Sequence, residues 1–178
     1  MNWIVAAVLG VIVGAALTGW AVVWLMRTRM VVARRSGRSF EETCEAIERV
    51  VGAAKGWGFP IPAWNFYGRF LEKGCVPEGF RKIKVYFVCN TKLASGVLQD
   101  TPPMAGIMPC SWAVYELEDG SVWLSKMNIG LMAKMFSGVI RRAMQQVEEA
   151  DEQFLSEVLK PGTATPAGAP RNLDSETS

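Results

Sequence analysis

The chain opens on an unbroken apolar run, Trp3 to Met26, that carries no charged side chain over 24 residues. At about 1.5 Å per residue, a helix of that length is roughly 36 Å long, enough to cross a hydrocarbon core with some tilt. Beyond it the pattern shortens and changes period. "MVVARR" (Met30 to Arg35) is short and β-branched and predicts a first strand. "SFEETCEAIERVVGAAKGWGF" predicts a helix whose buried stripe is Phe40, Cys44, Ile47, Val51 and Ala54. Ser39 and Glu42 have capping-box spacing at its start, and Gly56 and Gly58 end it.

"FPIPAWNFYGRF" is limited by Pro60 and Pro62 to an edge or irregular strand, and "LEKGCVPEGF" reads as turn. "KIKVYFVCN" alternates and predicts a strand; "TKLASGVLQD" predicts a short helix that starts at Asn90 or Thr91 and stops before Pro102. "CSWAVYEL" and "SVWLSKMN" flank Asp119-Gly120 as a β-hairpin. From Ile129 to Leu159 the pattern is helical, with Leu131, Met132, Met135, Phe136, Val139, Ile140, Met144 and Val147 on one broad apolar face. Glu148 to Glu152 reads as a solvated continuation, after which Phe154, Leu155 and Val158 return to an apolar surface. The last residues are rich in Pro, Ala, Ser and Thr and predict a disordered tail. The expected organisation is an anchor and basic flank (1–29), an α+β domain (30–159) and the tail (160–178). In that domain a sheet carries its helices on one face.

Charge changes this picture at the N-terminus. Residues 1–38 hold five arginines and no acid, whereas residues 39–178 hold 14 basic and 17 acidic side chains. The arginines all follow the apolar run, so the positive-inside rule places the folded domain on the cytoplasmic side of the cell's inner membrane. With no Lys or Arg ahead of the run, and with its length, an uncleaved anchor is expected rather than a cleaved signal peptide. Ala6, Gly10, Gly14 and Thr18 recur every four residues along this helix, the spacing at which small residues let two helices approach closely. The expected partners are the lipid bilayer and a second copy or another membrane subunit. Nucleic acid is excluded because no basic face is left over for it.

The chain has no histidine and four cysteines, Cys44, Cys75, Cys89 and Cys110, with no C-x-x-C spacing. This excludes Ser-His-Asp and Cys-His catalysis, His-ligated haem and His-containing zinc sites. Cys44 falls on a helix core stripe; Cys75 falls in an exposed loop. Cys89 closes one predicted strand and Cys110 opens another, with the short helix between them.

The pieces "FEETCEAIE", "GWGFPIPAWN", "VCNTKLASGVLQD", "MPCSWAVYELEDGSVWLSKMN" and "GLMAKMFSGVI" resemble the domain of unknown function 302 family, best in a membrane-anchored bacterial subgroup. The resemblance covers roughly residues 30–155. It implies a compact α+β fold of the TATA-binding-protein-like class, often dimeric, and no catalytic residue. The Cys89-Asn90 and Pro109-Cys110 steps match the family pattern. Thr91 stands where relatives often carry proline, and the neutral Trp64-Asn65 stands where they often carry an acid.

Cys89, Asn90, Pro109 and Cys110 are therefore the candidate site, open to four readings. The thiols are a dithiol switch or sulfur carrier, soft-metal or haem ligands with Met127, Met132 or Met135, the flank of an anion site at Asn90, or small residues packing at strand ends. No cofactor is specified by the sequence. The leading expectation is a single-pass, membrane-anchored accessory or binding protein that is not an enzyme. The runner-up is a thiol-based redox or sulfur-handling protein.

Overall fold

The computed structural model describes residues 2–161 of the chain. The expected disordered tail, apart from its first two residues, lies outside them.

The apolar run forms helix α1 (Asn2–Arg29), which buries none of its side chains against the rest of the chain. It is the one helix among the described residues long and apolar enough to cross a membrane. Strand β1 (Val31–Arg35) follows at once. Helix α2 (Phe40–Ala53) starts on the expected capping box: Ser39 Oγ accepts from the Glu42 amide, and Glu42 Oε2 accepts from the Ser39 amide at 2.9 Å. Its stripe is buried at Cys44, Ile47 and Val51.

The Pro60–Pro62 segment makes only two short pairings, β2 (Trp57–Gly58) and β3 (Trp64–Asn65). The chain then forms α3 (Phe66–Lys73), where the sequence predicts strand and turn. Its start is set by Asn65, whose Oδ1 accepts from the Gly68 amide at 2.9 Å, and its end by Gly74 in the left-handed conformation, φ +64°. A hydrophobic pattern with two aromatics close together reads as strand unless the cap is weighed as well.

Strand β4 (Phe80–Asn90) runs directly into helix α4 (Thr91–Asp100) and a 3-10 turn (Pro102–Ile107). The hairpin β5 (Cys110–Leu117) and β6 (Val122–Met127) turns at Asp119-Gly120, as expected, with Gly120 at φ +77°. The long C-terminal helix is two: α5 (Ile129–Ala133) and α6 (Gly138–Val158). Gly138, at φ +60°, breaks the helical path between them.

The sheet is antiparallel throughout, in the order β1-β6-β5-β4-β2, with β3 also on β4. Register sorts its side chains. Tyr86, Val88, Trp112, Val114, Val122 and Leu124 share one face and are buried under α2 and α6, against Ile47, Val51, Phe154, Leu155 and Val158. The side chains of the opposite face include Ile83, Val85, Phe87, Tyr115, Trp123, Met127 and Val31, none of them fully buried. The domain is thus an α+β sandwich with α2 and α6 packed on one face of the sheet. A second core gathers at the ends of β4, β5 and β6, where α4, the 3-10 turn, α5 and α6 meet.

Candidate functional site

That second core lines a partly open pocket of about 80 Å³, with Ile107 and Met127 exposed at its edge. Its walls come from the strand ends (Val88, Cys89, Cys110, Met127), from α4 (Leu93, Val97), and from α5 and α6 (Ile129, Met132, Ile140, Met144). Of the residues singled out in the sequence, Cys89, Asn90, Pro109, Cys110, Met127 and Met132 all line it. Met135 does not: it lies in the α5–α6 break and is 60% exposed, because a helix that stops at Ala133 no longer carries it round to the apolar face. Met104, Met108 and Met144, which the sequence reading did not select as site residues, complete five thioethers around the two thiols. Among the described residues, no charged side chain lines the cavity.

Cys89 and Cys110 are free thiols; no disulfide joins them. The register explains this. Val88, not Cys89, stands opposite Cys110, so strand alternation sends the two Cβ atoms to opposite faces of the ladder. Burial raises the Cys89 thiol above its ordinary value. Cys110 is pushed up to about 11, first by burial and then by the nearby negative charge of Asp151. Both are protonated at neutral pH, the opposite of the low-pKa thiolate that exchange chemistry uses.

Asn90 caps α4. Its Oδ1 accepts from the amides of Lys92 and Leu93, each at 3.2 Å. Those are the N–H groups an anion at this helix start would use, and the side chain already holds them. The cavity is also far too small for a porphyrin. Among the described residues no group of three or more His, Cys, Asp or Glu stands in metal-binding arrangement; the sulfur set is instead a soft-donor one.

A polar cluster missed in the sequence adjoins the cavity. Lys126 Nζ donates to Asp151 Oδ2 at 2.6 Å and lies 3.4 Å from Glu148 Oε2. Glu148 Oε2 also accepts from the Gly130 amide at 3.0 Å, tying α6 to α5. A Cβ on residue 130 would come within 3.0 Å of the Glu148 carboxyl group, so glycine suits this approach. The stretch Glu148–Glu152 is therefore no solvated continuation: Asp151 lies on the buried stripe, seven residues from both Met144 and Val158. That heptad spacing, and the inward alternation Val122, Leu124, Lys126, were the available signals.

The family model described as Domain of unknown function DUF302 matches residues 32–160, the whole of the folded domain. The chain belongs to this family. An uncharacterized protein of Aquifex aeolicus (strain VF5) is 28% identical over 79 residues, 44% of this chain and 55% of that one, so the chain spans about half the length of this curated relative. The crystal structure of an uncharacterized conserved DUF302 protein from Bacillus stearothermophilus superposes with a TM-score of 0.62 at 18% identity. It covers 72% of this chain and 98% of its own. The shared fold is the DUF302 domain; the apolar helix α1 precedes the part that the family model matches.

Proposed function

We propose that this DUF302 protein is a membrane-anchored binding protein that holds a small apolar guest in its sulfur-lined cavity. The observation that carries this reading is the cavity itself: apolar walls, five methionines and two protonated thiols where three strands end. Apolar pockets lined this way admit apolar guests, and flexible thioethers adapt to their shape. Helix α1 supplies the anchor, with Arg27 and Arg29 in its last turn and the domain on the cytoplasmic side. Filling the cavity with Ala143→Phe tests the site. The variant is expected to keep its circular dichroism and lose uptake of xenon, a probe of dry apolar cavities. Undiminished uptake in the folded variant sinks the reading.

A second reading concerns assembly. The sheet face opposite α2 and α6 carries Val85, Phe87, Tyr115 and Trp123, each half-buried, an apolar surface of the kind that marks interfaces. The occupant we favour is a second copy. Strand β1 at the edge of this sheet continues directly from α1, whose Gly10 and Gly14 have no neighbour within 4 Å of an added Cβ. Two chains tethered in one membrane meet at raised effective concentration. Sedimentation in detergent of Trp123→Glu and of Gly10→Leu/Gly14→Leu should show a lighter species than the parent. An unchanged mass for both removes self-association; capture of the face by a different membrane subunit would then be the alternative.

A further inference from the structure

Two polar atoms in the polar cluster beside the cavity are buried without a hydrogen-bond partner in the protein: Trp112 Nε1, a donor, and Asp151 Oδ1, an acceptor. Their residues are 0% and 1% exposed. They flank the same side chain. Trp112 stands directly opposite Lys126 in the β5–β6 ladder, and Lys126 reaches Asp151 at 2.6 Å. The Trp112 ring centroid lies 6.4 Å from that of Phe154, three residues beyond Asp151 on α6. Buried polar atoms in native proteins are nearly always satisfied, and each exception needs a cause.

We infer that this cluster is a binding site for one hydroxyl group, which accepts from Trp112 Nε1 and donates to Asp151 Oδ1. An indole N–H can only donate and a carboxylate oxygen can only accept, so a group that does both satisfies the two at once. The site adjoins the cavity. Cys110, which lines the cavity, lies two residues before Trp112 on the same face, and Val147, also in the lining, lies one turn before Asp151. The hydroxyl therefore has two sources: a buried water, or the head of a guest whose apolar body fills the cavity. In the second case the guest is a short alcohol rather than a hydrocarbon, which deepens the cavity reading and rests on it.

The test uses the full-length chain in detergent with ¹⁵N-labelled tryptophan. The Trp112 indole resonance is assigned by its loss in Trp112→Phe, and 1-pentanol and n-pentane are the probes. A cross-peak from the indole proton to water, unmoved by either probe, supports the site with water as its occupant. Displacement of that cross-peak, or a Trp112 shift, with 1-pentanol but not n-pentane supports it with an alcohol. No water cross-peak and no response specific to 1-pentanol overturns it. If neither probe binds at all, the cavity reading fails, while the water cross-peak still decides the hydroxyl site. The Lys126→Met/Asp151→Leu variant, which removes the acceptor, should lose the water cross-peak while keeping the indole signal; a persistent cross-peak overturns the assignment.

Discussion

Lys126 Nζ and Asp151 Oδ2 stand 2.6 Å apart with their side chains 3% and 1% exposed, one on strand β6 and one on helix α6. An ion pair withdrawn from water this far gains its Coulomb energy against a large desolvation cost, so its value lies in the pairing being complete. Removing one partner strands the other. Asp151→Ala is expected to destabilise the fold by about 3–5 kcal/mol, whereas Lys126→Met/Asp151→Leu should stay near the parent or exceed it. Urea unfolding followed by tryptophan fluorescence measures both. A single substitution as mild as the double one would show that the pair is not the coupled unit described.

The same carboxyl gives a pH signature. Burial raises Asp151 above the ordinary carboxylate range, with Lys126 opposing and Glu148 and Glu152 adding to the rise. The folded state then keeps the Asp151 proton to higher pH than the unfolded chain does. Where the folded state binds more protons, stability falls as pH rises. This contribution is therefore present in acid and lost as pH climbs from the ordinary carboxylate value through the raised one. Relative to Asp151→Asn, the parent's urea midpoint should decline over that interval; a difference that is flat or rises contradicts the assignment.

The thiols should separate by reactivity. Cys75 is exposed, Cys89 and Cys110 are half-buried, and Cys44 is buried. With iodoacetamide at pH 8, mass analysis of the native protein should find Cys75 modified first and Cys110 resisting until the pH nears its raised value of about 11. Labelling of Cys110 as fast as Cys75 would restore the case for thiol chemistry.

Asn90 ties the wall of the cavity to the start of α4. Asn90→Ala removes the acceptor for two amides and should cost about 1 kcal/mol, while Asn90→Asp should retain most of the stability. Thermal unfolding distinguishes them. Equal losses in both variants would mean that packing against the cavity, rather than capping, is what Asn90 supplies.

The parts legible in the sequence are those where local chemistry and tertiary demand agree. Ser39 and Glu42 cap α2 by themselves, Asp119-Gly120 turns the hairpin, and the alternation from Ile83 to Cys89 sits in the longest strand. The convergence of Cys89, Asn90, Pro109, Cys110 and Met127 on one cavity follows from their places at or beside strand ends, which the predicted element boundaries located, while Met132 joins them from helix α5. What was not legible depends on partners far away in the chain. Asp151 looks like one more acid in an acidic run until Lys126, 25 residues earlier, is placed beneath it. The helix at Phe66 depends on a single Asn65 cap inside an aromatic stretch, and the exposure of Met135 on a break at Gly138 that the apolar periodicity bridges.

The central claim, a small apolar guest held among the sulfurs, is tested most directly at the methionine methyls. With ¹³C-methyl methionine in the full-length protein, titration with xenon should shift the resonances of Met104, Met108, Met127, Met132 and Met144, which line the cavity. Met135, exposed in the helix break, should not move. Shifts confined to the five lining methyls are the predicted result. No shift, or shifts spread equally to Met135, would contradict it.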